Sequence, residues 1–468
     1  HEFRGHRVCR ISVHPLQYDR EAREAKQFTS LSIECTFSHP FVPQPTTQMA
    51  DQTVAALVLN PQHLVGRTIA PRLHKSKVNP LSGPNVYKIY IENNRPETIY
   101  KLTGASLKAA GIHIAGIDPA TLQLFNNGGR QLPLNVQEAP SDTLMETPIK
   151  VNDGNDGSFD DGDDLLFYGR PLKGVEFDAD TQRLRHYSHP YGDQNVYWLT
   201  FNQQQGKRIR TINVEASPDA PQMTTTRALQ WLEEEKHNPF GSGMVWLGSE
   251  LSSYSSTFTW SFPLNFPLTS REAAFRCALA SYSSGDRFSI VVNGNLVGQC
   301  EQSGDDEYIR RGVHEFFADG VLMNGENSVT VSYQTHSDVK SAHVDWLEVE
   351  YERSLNAMEN QLLFYSPSMQ GEVRYSLTGF TDPHVHIFDV SDAGAIQELA
   401  YERDASGVLL FGDVVNAASP KRYIAISASA FTSVPSASTS GPVNIAGLRQ
   451  PRNADYIVIT HHEFQTQA

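Results

Sequence analysis

The stretch Arg287-Phe-Ser-Ile-Val-Val-Asn-Gly-Asn-Leu-Val-Gly-Gln-Cys300 decides the fold class of this chain. Two short runs, Phe288–Val292 and Leu296–Cys300, are rich in the β-branched and apolar residues that favour strands. Asn293-Gly294 lies between them, and this dipeptide suits two-residue hairpin turns because both of its residues tolerate a positive φ. The stretch therefore predicts a β-hairpin, and with it an antiparallel sheet.

Similar segments surround this hairpin from Met244 to Glu352. About a hundred residues of short strands and turn residues predict a β-sandwich of the jelly-roll type. Helical periodicity is scarce along the rest of the chain, so we expect a mainly β protein with several β-rich domains. The other strands predicted in this region are Ser256–Phe262, Ala273–Ser281, Ser328–Tyr333 and Val344–Tyr351.

The length of 468 residues suits about three domains. Shifts in composition place the boundaries between them. The predicted parts are an N-terminal β-rich segment and linker (1–84), a small α+β domain with an Asp-rich loop (85–204), a connector (205–242), the β-sandwich (243–354), a small β domain (355–431), a linker (432–453) and the start of another domain (454–468).

The last part differs from the others. Asp455-Tyr-Ile-Val-Ile-Thr460 is apolar without alternation, which predicts a strand covered on both faces, as in a parallel α/β sheet. Such a strand needs crossover connections and parallel neighbours, and only eight residues follow it. We expect it to be the first strand of an α/β domain that the sequence does not complete.

Composition excludes two classes of function. The 38 Lys and Arg residues against 53 Asp and Glu residues give a net charge of 38 − 53 = −15. We expect no nucleic-acid binding, because phosphate recognition needs clustered cations. No apolar run approaches the roughly 18 residues that a membrane-spanning helix needs, so we expect no such segment.

Short stretches along the chain carry a family resemblance. In their order and spacing they resemble the non-catalytic N-terminal region of gingipain-type cysteine peptidases, and in particular the PorU-like sortases of the type IX secretion system. Met244 stands where the family stretch has Arg. The stretches are Tyr100-Lys-Leu-Thr103 with Gly111-Ile112, Asn155–Gly169, Ser242–Glu250, Val385–Asp392 and Asn453–Ala468.

The resemblance implies that Asp455–Thr460 opens a caspase-like catalytic domain whose His and Cys lie beyond Ala468. The parent protein is then expected to be a cysteine peptidase, and this chain alone is expected to be inactive, with no catalytic residue of its own. The resemblance also implies a secreted or cell-surface, outer membrane-associated protein of a Gram-negative bacterium. Its expected partners are protein substrates or secretion-system proteins.

One acidic segment is a candidate metal site. Asn152-Asp-Gly-Asn-Asp-Gly-Ser-Phe-Asp-Asp-Gly-Asp-Asp164 concentrates carboxylates among glycines, and hard oxygen ligands suit Ca²⁺. Aligned with an EF-hand-like loop, Asp156, Asp160 and Asp163 take positions five, nine and twelve. Asn152 and Gly154 at positions one and three make the match defective, so a solvated acidic turn is the alternative.

A competing function is carbohydrate binding or adhesion by the sandwich, with Trp246, Trp260, Trp346 and Tyr351 as stacking faces. The alternative role of these aromatic residues is to fill the core, because large aromatic residues of alternating strands usually point inward. An exposed pair on one sheet face would favour sugar binding.

Cysteines and histidines give weaker indications. Cys277 and Cys300 are predicted to meet in a disulfide within the sandwich if the chain is exported, and buried free thiols are the alternative. His384 and His386 share one strand face, as metal ligands sometimes do, but no third ligand is recognisable and surface histidines are the simpler interpretation.

Overall fold

A computed structural model gives the fold. It describes residues 85–443 except 134, 136–143, 203, 242, 244, 305–307 and 337–340, together with 2–3, 6–7, 16–19, 24–30, 32–34, 57, 81, 458 and 460. Cys9, Cys35 and most of the predicted strand Asp455–Thr460 lie outside these residues. The chain divides into two compact units, 1–78 and 79–468.

The described part of the first unit contains two antiparallel strand pairs, β1 with β2 and β3 with β4. Their bounds are Glu2–Phe3, His6–Arg7, Leu16–Asp19 and Glu24–Gln27.

The second unit begins with strands β5 to β13, and its main helix is Gly104–Ala109. Thr103 caps this helix: its side chain accepts from the Ser106 amide, and the Thr103 amide donates to the Ser106 hydroxyl. Gly111, just past the helix, has a φ of +83°. The strands are β5 Val86–Glu92, β6 Thr98–Thr103, β7 Gln123–Asn126, β8 Met145–Thr147, β9 Lys150–Asn152, β10 Asp164–Gly169, β11 Lys173–Asp178, β12 Arg183–Ser188 and β13 Gln194–Thr200, with a 3₁₀ turn at Pro119–Thr121.

Within the described residues, the sandwich is built from nine strands in two sheets. One sheet has the order β16-β24-β19-β22, to which β17 adds a short pairing with β24, and the other has the order β18-β23-β20-β21. Here and just before, the strands are β14 Arg210–Ile212, β15 Gln222–Met223, β16 Thr225–Glu233, β17 Glu250–Leu251, β18 Thr257–Leu264, β19 Ala273–Ser281, β20 Arg287–Val292, β21 Asn295–Glu301, β22 Arg310–Ala318, β23 Gly325–Gln334 and β24 Ala342–Ser354.

Apolar residues of both sheets form one core, with Phe275 and Leu347 from the first sheet and Phe288 and Val331 from the second. The predicted hairpin is present as β20 and β21, and Asn293 and Gly294 have the positive φ values, 49° and 83°, that its turn requires.

A further pair of sheets follows the sandwich, in the orders β14-β28-β27-β31-β25 and β15-β26-β30-β29. Two short strands then return to the sheets formed by β5 to β13, which we call the first domain. There β32 pairs with β6 and β33 pairs with β5. The bounds are β25 Gln361–Tyr365, β26 Gly371–Leu377, β27 Val385–Asp389, β28 Gln397–Leu399, β29 Glu402–Arg403, β30 Leu409–Val415, β31 Arg422–Ser427, β32 Thr432–Ser433 and β33 Thr439–Ser440, with 3₁₀ turns at Ala428–Ala430 and Ser436–Ser438.

The prediction of a mainly β fold with several β-rich parts is confirmed. The pairings of β32 and β33 show that residues 432–440, which we place in a linker from the sequence, are structured as sheet edges. Residues 225–233 of the predicted connector form β16, which joins the sandwich by pairing with β24.

Candidate functional site

The Asp-rich segment is a fixed loop between β9 and β10. Phe159 is its anchor, being 1% exposed within the core of the first domain. The loop also meets the N-terminus of the helix, where the Gly104 amide donates to the Asp163 carbonyl at 2.9 Å and the Ala105 amide to the Asp161 carbonyl at 3.3 Å. Phe159 and these main-chain bonds therefore fix the position of the loop against the first domain.

The predicted calcium ligands each have a local partner. Asp156 accepts from the Ser158 amide at 2.9 Å, Asp160 from the Gly162 amide at 2.9 Å, and Asp163 from the Asp160 amide at 2.7 Å. Asp156 and Asp160 are exposed, whereas Asp163 is buried. Among the described residues, no group of three or more His, Cys, Asp or Glu side chains is placed to hold a metal ion. Calcium binding stays a prediction from the sequence.

If Ca²⁺ binds here, chelator should lower the melting temperature of the chain, because an ion that binds only the folded state stabilises it by mass action. The double variant Asp160→Ala, Asp163→Ala should abolish this sensitivity. Thermal melts with excess Ca²⁺ and with chelator test the prediction, and Asp178→Ala, a carboxylate at the end of β11, is the matched control. Equal wild-type melts in both buffers would remove the calcium hypothesis.

The four aromatic residues proposed for sugar stacking do not form an exposed pair on a sheet face. Trp346 and Tyr351 are buried, at 8% and 6% exposure. Trp260 is half-buried and stacks on Phe262, with ring centroids 4.1 Å apart. Trp246 is 39% exposed and lies before β17 rather than within a sheet. Three of the four therefore belong to packed regions.

The predicted Cys277–Cys300 disulfide is absent, and both residues are free thiols. Cys277 lies on β19 and Cys300 on β21, which belong to the two different sheets of the sandwich. A disulfide needs Cα atoms within about 4.4–6.8 Å, whereas facing sheets pack about 10 Å apart. The two cysteines are close in sequence, but this closeness does not show that their strands belong to different sheets.

Both thiols should be poor nucleophiles. Burial, together with the neighbouring Cys300, raises the pKa of Cys277 well above its usual range, and burial raises the pKa of Cys300 to about 11. Because the thiolate is the reactive form, we expect iodoacetamide at pH 8 to leave Cys277 unmodified and to label Cys300 at least tenfold more slowly than in denaturant. Mass spectrometry of timed samples measures both rates. Labelling of native Cys277 at the denatured rate would contradict this prediction.

His384 and His386 do not converge on a common ligand position. His384 is exposed, while the His386 Nδ1 atom lies 2.5 Å from Glu398. Lys150 is 2.8 Å from the other Glu398 oxygen. Burial acts to raise the pKa of Glu398, but the bonds from His386 and Lys150 outweigh it and lower that pKa to about 2. His386 is therefore one member of a hydrogen-bonded cluster with Glu398 and Lys150.

A buried charge network lies on the outer face of the β16-β24-β19-β22 sheet. Arg276 on β19 is the centre: its Nε atom donates to Glu348 at 2.8 Å and its Nη1 atom to Glu350 at 3.3 Å. The side chains of Arg276, Glu348 and Glu350 are 2–4% exposed. Arg227 on β16 is a further partner of Glu350. These charges are enclosed because the β11–β12 hairpin of the first domain covers this face.

The hairpin contributes main-chain groups and one histidine to the network. The Leu184 amide donates to Glu350 at 3.3 Å and the His186 amide to Glu348 at 2.7 Å, while Arg276 donates to the Leu184 carbonyl. The His186 Nδ1 atom also lies 2.7 Å from Glu348. We did not predict this network from the sequence. Its only available signal is the alternation of Trp346, Glu348, Glu350 and Glu352, which indicates a charged outer strand face without indicating what covers it.

Comparison with solved structures supports a PorU-like fold. The crystal structure of dimeric latent PorU from Porphyromonas gingivalis matches with a TM-score of 0.64 at 17% identity, over 78% of this chain and 34% of that chain. The present chain therefore spans about a third of that protein. No family model matches the chain, and neither does any curated protein.

Carbohydrate-binding modules give only partial structural matches. A CBM36 module in complex with calcium and xylotriose and a family 35 module from Clostridium thermocellum each match with a TM-score of 0.19, at 14% and 20% identity, over 26% of this chain and 98% and 90% of theirs. At that TM-score these matches carry no argument about this chain.

In the described part of the chain, no helix is long and apolar enough to cross a membrane.

Proposed function

We propose that this chain is the non-catalytic N-terminal scaffold of a secreted or cell-surface, sortase-like cysteine peptidase of the gingipain type. It would position the catalytic domain and contact protein substrates or secretion-system proteins. The observation that carries the proposal is the match of the fold to PorU over 78% of the chain. The order of the family-like sequence stretches supports it independently.

Four of these stretches occupy positions that build the fold. Tyr100 on β6 pairs with Phe167 on β10, and their rings stack at 5.7 Å, so two separate stretches meet in one sheet. Val385–Asp389 is an inner strand, β27, of a five-stranded sheet. At Gly248 a Cβ atom would lie 2.5 Å from the Val344 carbonyl oxygen, so a side chain does not fit. Structural roles of this kind suit a scaffold.

One Cys–His juxtaposition was not anticipated. Cys277 lies directly opposite His314 in the β19–β22 ladder. Nucleophilic catalysis would need an accessible thiolate and a histidine bonded to it. Cys277 is 2% exposed with a raised pKa, and the His314 Nε2 atom lies 3.2 Å from Gln302 instead. This arrangement is consistent with packing and supports the expectation of an inactive chain.

Peptidase assays test the proposal. We expect the purified chain to release no product from peptide substrates, and the Cys277→Ser variant to be indistinguishable from it. A longer product of the same reading frame, extended beyond residue 468, should cleave peptides and lose that activity after alkylation. Thiol-dependent cleavage by the present chain, abolished by Cys277→Ser, would overturn the scaffold proposal, as would an inactive extended product.

The same purified chain serves to test the carbohydrate-binding alternative. Affinity electrophoresis through xylan and other soluble polysaccharides should show no retardation. If the chain were retarded, Trp246→Ala should remove the effect, because Trp246 is the partly exposed member of the four proposed stacking residues. His384→Ala, an exposed site just before β27, is the matched control.

A further inference from the structure

The β11–β12 hairpin is an arm that joins three parts of the second unit. Its two strands form a separate two-stranded sheet. Towards its own domain, Glu176 is paired with Arg130 at 2.7 Å. Towards the sheets after the sandwich, the Val175 carbonyl accepts from the Tyr365 hydroxyl at 3.2 Å. Towards the sandwich, the hairpin makes the bonds to Glu348 and Glu350 described above.

The hairpin contacts the sandwich mainly through polar groups. Leu184 is its one fully buried residue, and the other positions of both strands are half-buried or exposed. Along the free edge of β12, main-chain groups bond to side chains of the sandwich instead of to another strand. Glu350 and Glu348 accept from the amides of residues 184 and 186, and Arg276 donates to the carbonyl of residue 184. The docking therefore depends on the charge balance around these few groups.

His186 supplies one of the balancing charges. Its ring stacks on Trp231 at 5.1 Å and meets the edge of Trp346 at 5.2 Å. Its Nδ1 atom is 2.7 Å from Glu348, and its Nε2 atom is 3.4 Å from Glu233 on β16. With His186 protonated, three cations (His186, Arg227 and Arg276) face three carboxylates (Glu233, Glu348 and Glu350).

Other charged groups around the ring are paired or more distant. Asp345 on β24 is bonded to Arg311 of β22 at 2.5 Å. From the hairpin itself, the Lys173 ammonium lies 5.9 Å from the Trp231 ring, and Arg183 is 3.9 Å from Glu350. Burial, together with Glu233 and Asp345, raises the pKa of Glu235, beyond β16, to about 7, so this carboxyl gains its charge within the same pH range. When His186 loses its proton, Arg276 stays beside Glu348, whereas the half-buried Glu233 loses the cation at its carboxylate.

We propose that the β11–β12 hairpin is a pH-operated clasp, which holds the first domain against the sandwich while His186 is protonated and loosens when His186 loses its proton. This inference is independent of the proposed function. A change in pH would thereby alter how firmly the first domain is held against the sandwich.

The direction of the effect follows from linkage. Burial acts to lower the pKa of His186, but the bonds and charges of Glu233 and Glu348 outweigh it and raise that pKa from 6.5 to about 9. A raised pKa gives a stabilisation that is complete below about pH 6.5 and declines as the pH rises through about 9. The difference of about 2.5 pKa units corresponds to a change of up to about 300-fold in the docking equilibrium.

Amide hydrogen exchange of the whole chain, corrected for intrinsic rates, measures this equilibrium between pH 6 and pH 9.5. The Leu184 and His186 amides report on the hairpin, and amides of β19 report on global unfolding. In the wild type we expect protection of the hairpin amides to fall by at least 30-fold across this range while β19 stays protected. The control His314→Gln should behave as the wild type.

Two variants decide the role of His186. His186→Gln should show weak hairpin protection at every pH. Glu233→Gln keeps both carboxylates that bind the hairpin main chain, and should move the loss of protection to lower pH. A wild-type hairpin equally protected at both ends of the range, or a His186→Gln variant that keeps the pH dependence, would overturn the proposal. If His186→Gln does not fold, an unshifted midpoint in Glu233→Gln overturns it.

Discussion

Replacement of Arg276 by alanine is expected to lower the free energy of unfolding by about 3–5 kcal/mol, because it leaves Glu348 and Glu350 buried without their central counter-charge. Arg276 also donates to the Leu184 carbonyl of the hairpin, which would lose its partner. Differential scanning calorimetry of the wild type and the variant measures the effect as a lower melting temperature of the transition that includes the sandwich.

Two further variants make this result interpretable. Lys108→Ala removes an ion pair to Asp161 whose side chains are 64% and 56% exposed, and should cost less than about 1 kcal/mol. Arg276→Lys should fall between the wild type and Arg276→Ala, because an ammonium cannot reproduce the planar fork that meets two carboxylates and a carbonyl. An Arg276→Ala protein that melts with the wild type would show that solvent reaches these carboxylates.

Replacement of Gly104 by alanine is expected to destabilise the first domain by about 3 kcal/mol through overpacking. A Cβ atom at Gly104 would lie 1.8 Å from the carbonyl oxygen of Asp160 and 3.3 Å from the Cα atom of Asp161, so the Asp-rich loop must move. The usual effect of glycine to alanine in a helix is a gain of up to about 1 kcal/mol, so the opposite sign is the diagnostic result. Equilibrium denaturation in urea measures it.

Gly162→Ala is the matched control within the same loop. The nearest atom to its added Cβ is the Asp160 Oδ1 atom at 3.5 Å, an ordinary contact, and Gly162 has no positive φ. We expect a change of less than about 1 kcal/mol. Destabilisation of similar size in both variants would mean that the loop tolerates no added methyl group anywhere, and that the close contact at Gly104 is not the cause.

Local signals in the sequence predicted the local parts of the fold. Asn293-Gly294 identifies its hairpin because the turn needs positive φ values, and within the hairpin only these two residues have them. Thr103 and Gly111 identify the ends of a helix for the same kind of reason. In each case the information and the structure that it specifies lie within a few residues of each other.

Long-range packing was not predictable in this way. Residues 225–233 include the helix-compatible run Ala-Leu-Gln-Trp-Leu-Glu, yet they form β16, because pairing with β24 more than a hundred residues later overrides local propensity. The charge network has the same character. Arg276 binds carboxylates 72 and 74 residues later and a carbonyl 92 residues earlier. The sequence shows the charges, but their partners depend on the arrangement of the whole unit.

The return of the chain to its first sheet has a mechanical consequence. β33 pairs with β5, and the Val443 amide donates to the Val86 carbonyl at 2.8 Å, so residues 86 and 443 lie side by side. A pulling force applied at these two positions would load a few hydrogen bonds one after another, as in unzipping, before any tension reached the sandwich. The sheets between residues 86 and 443 would thus be protected from stretching by a few weak hydrogen bonds that re-form readily.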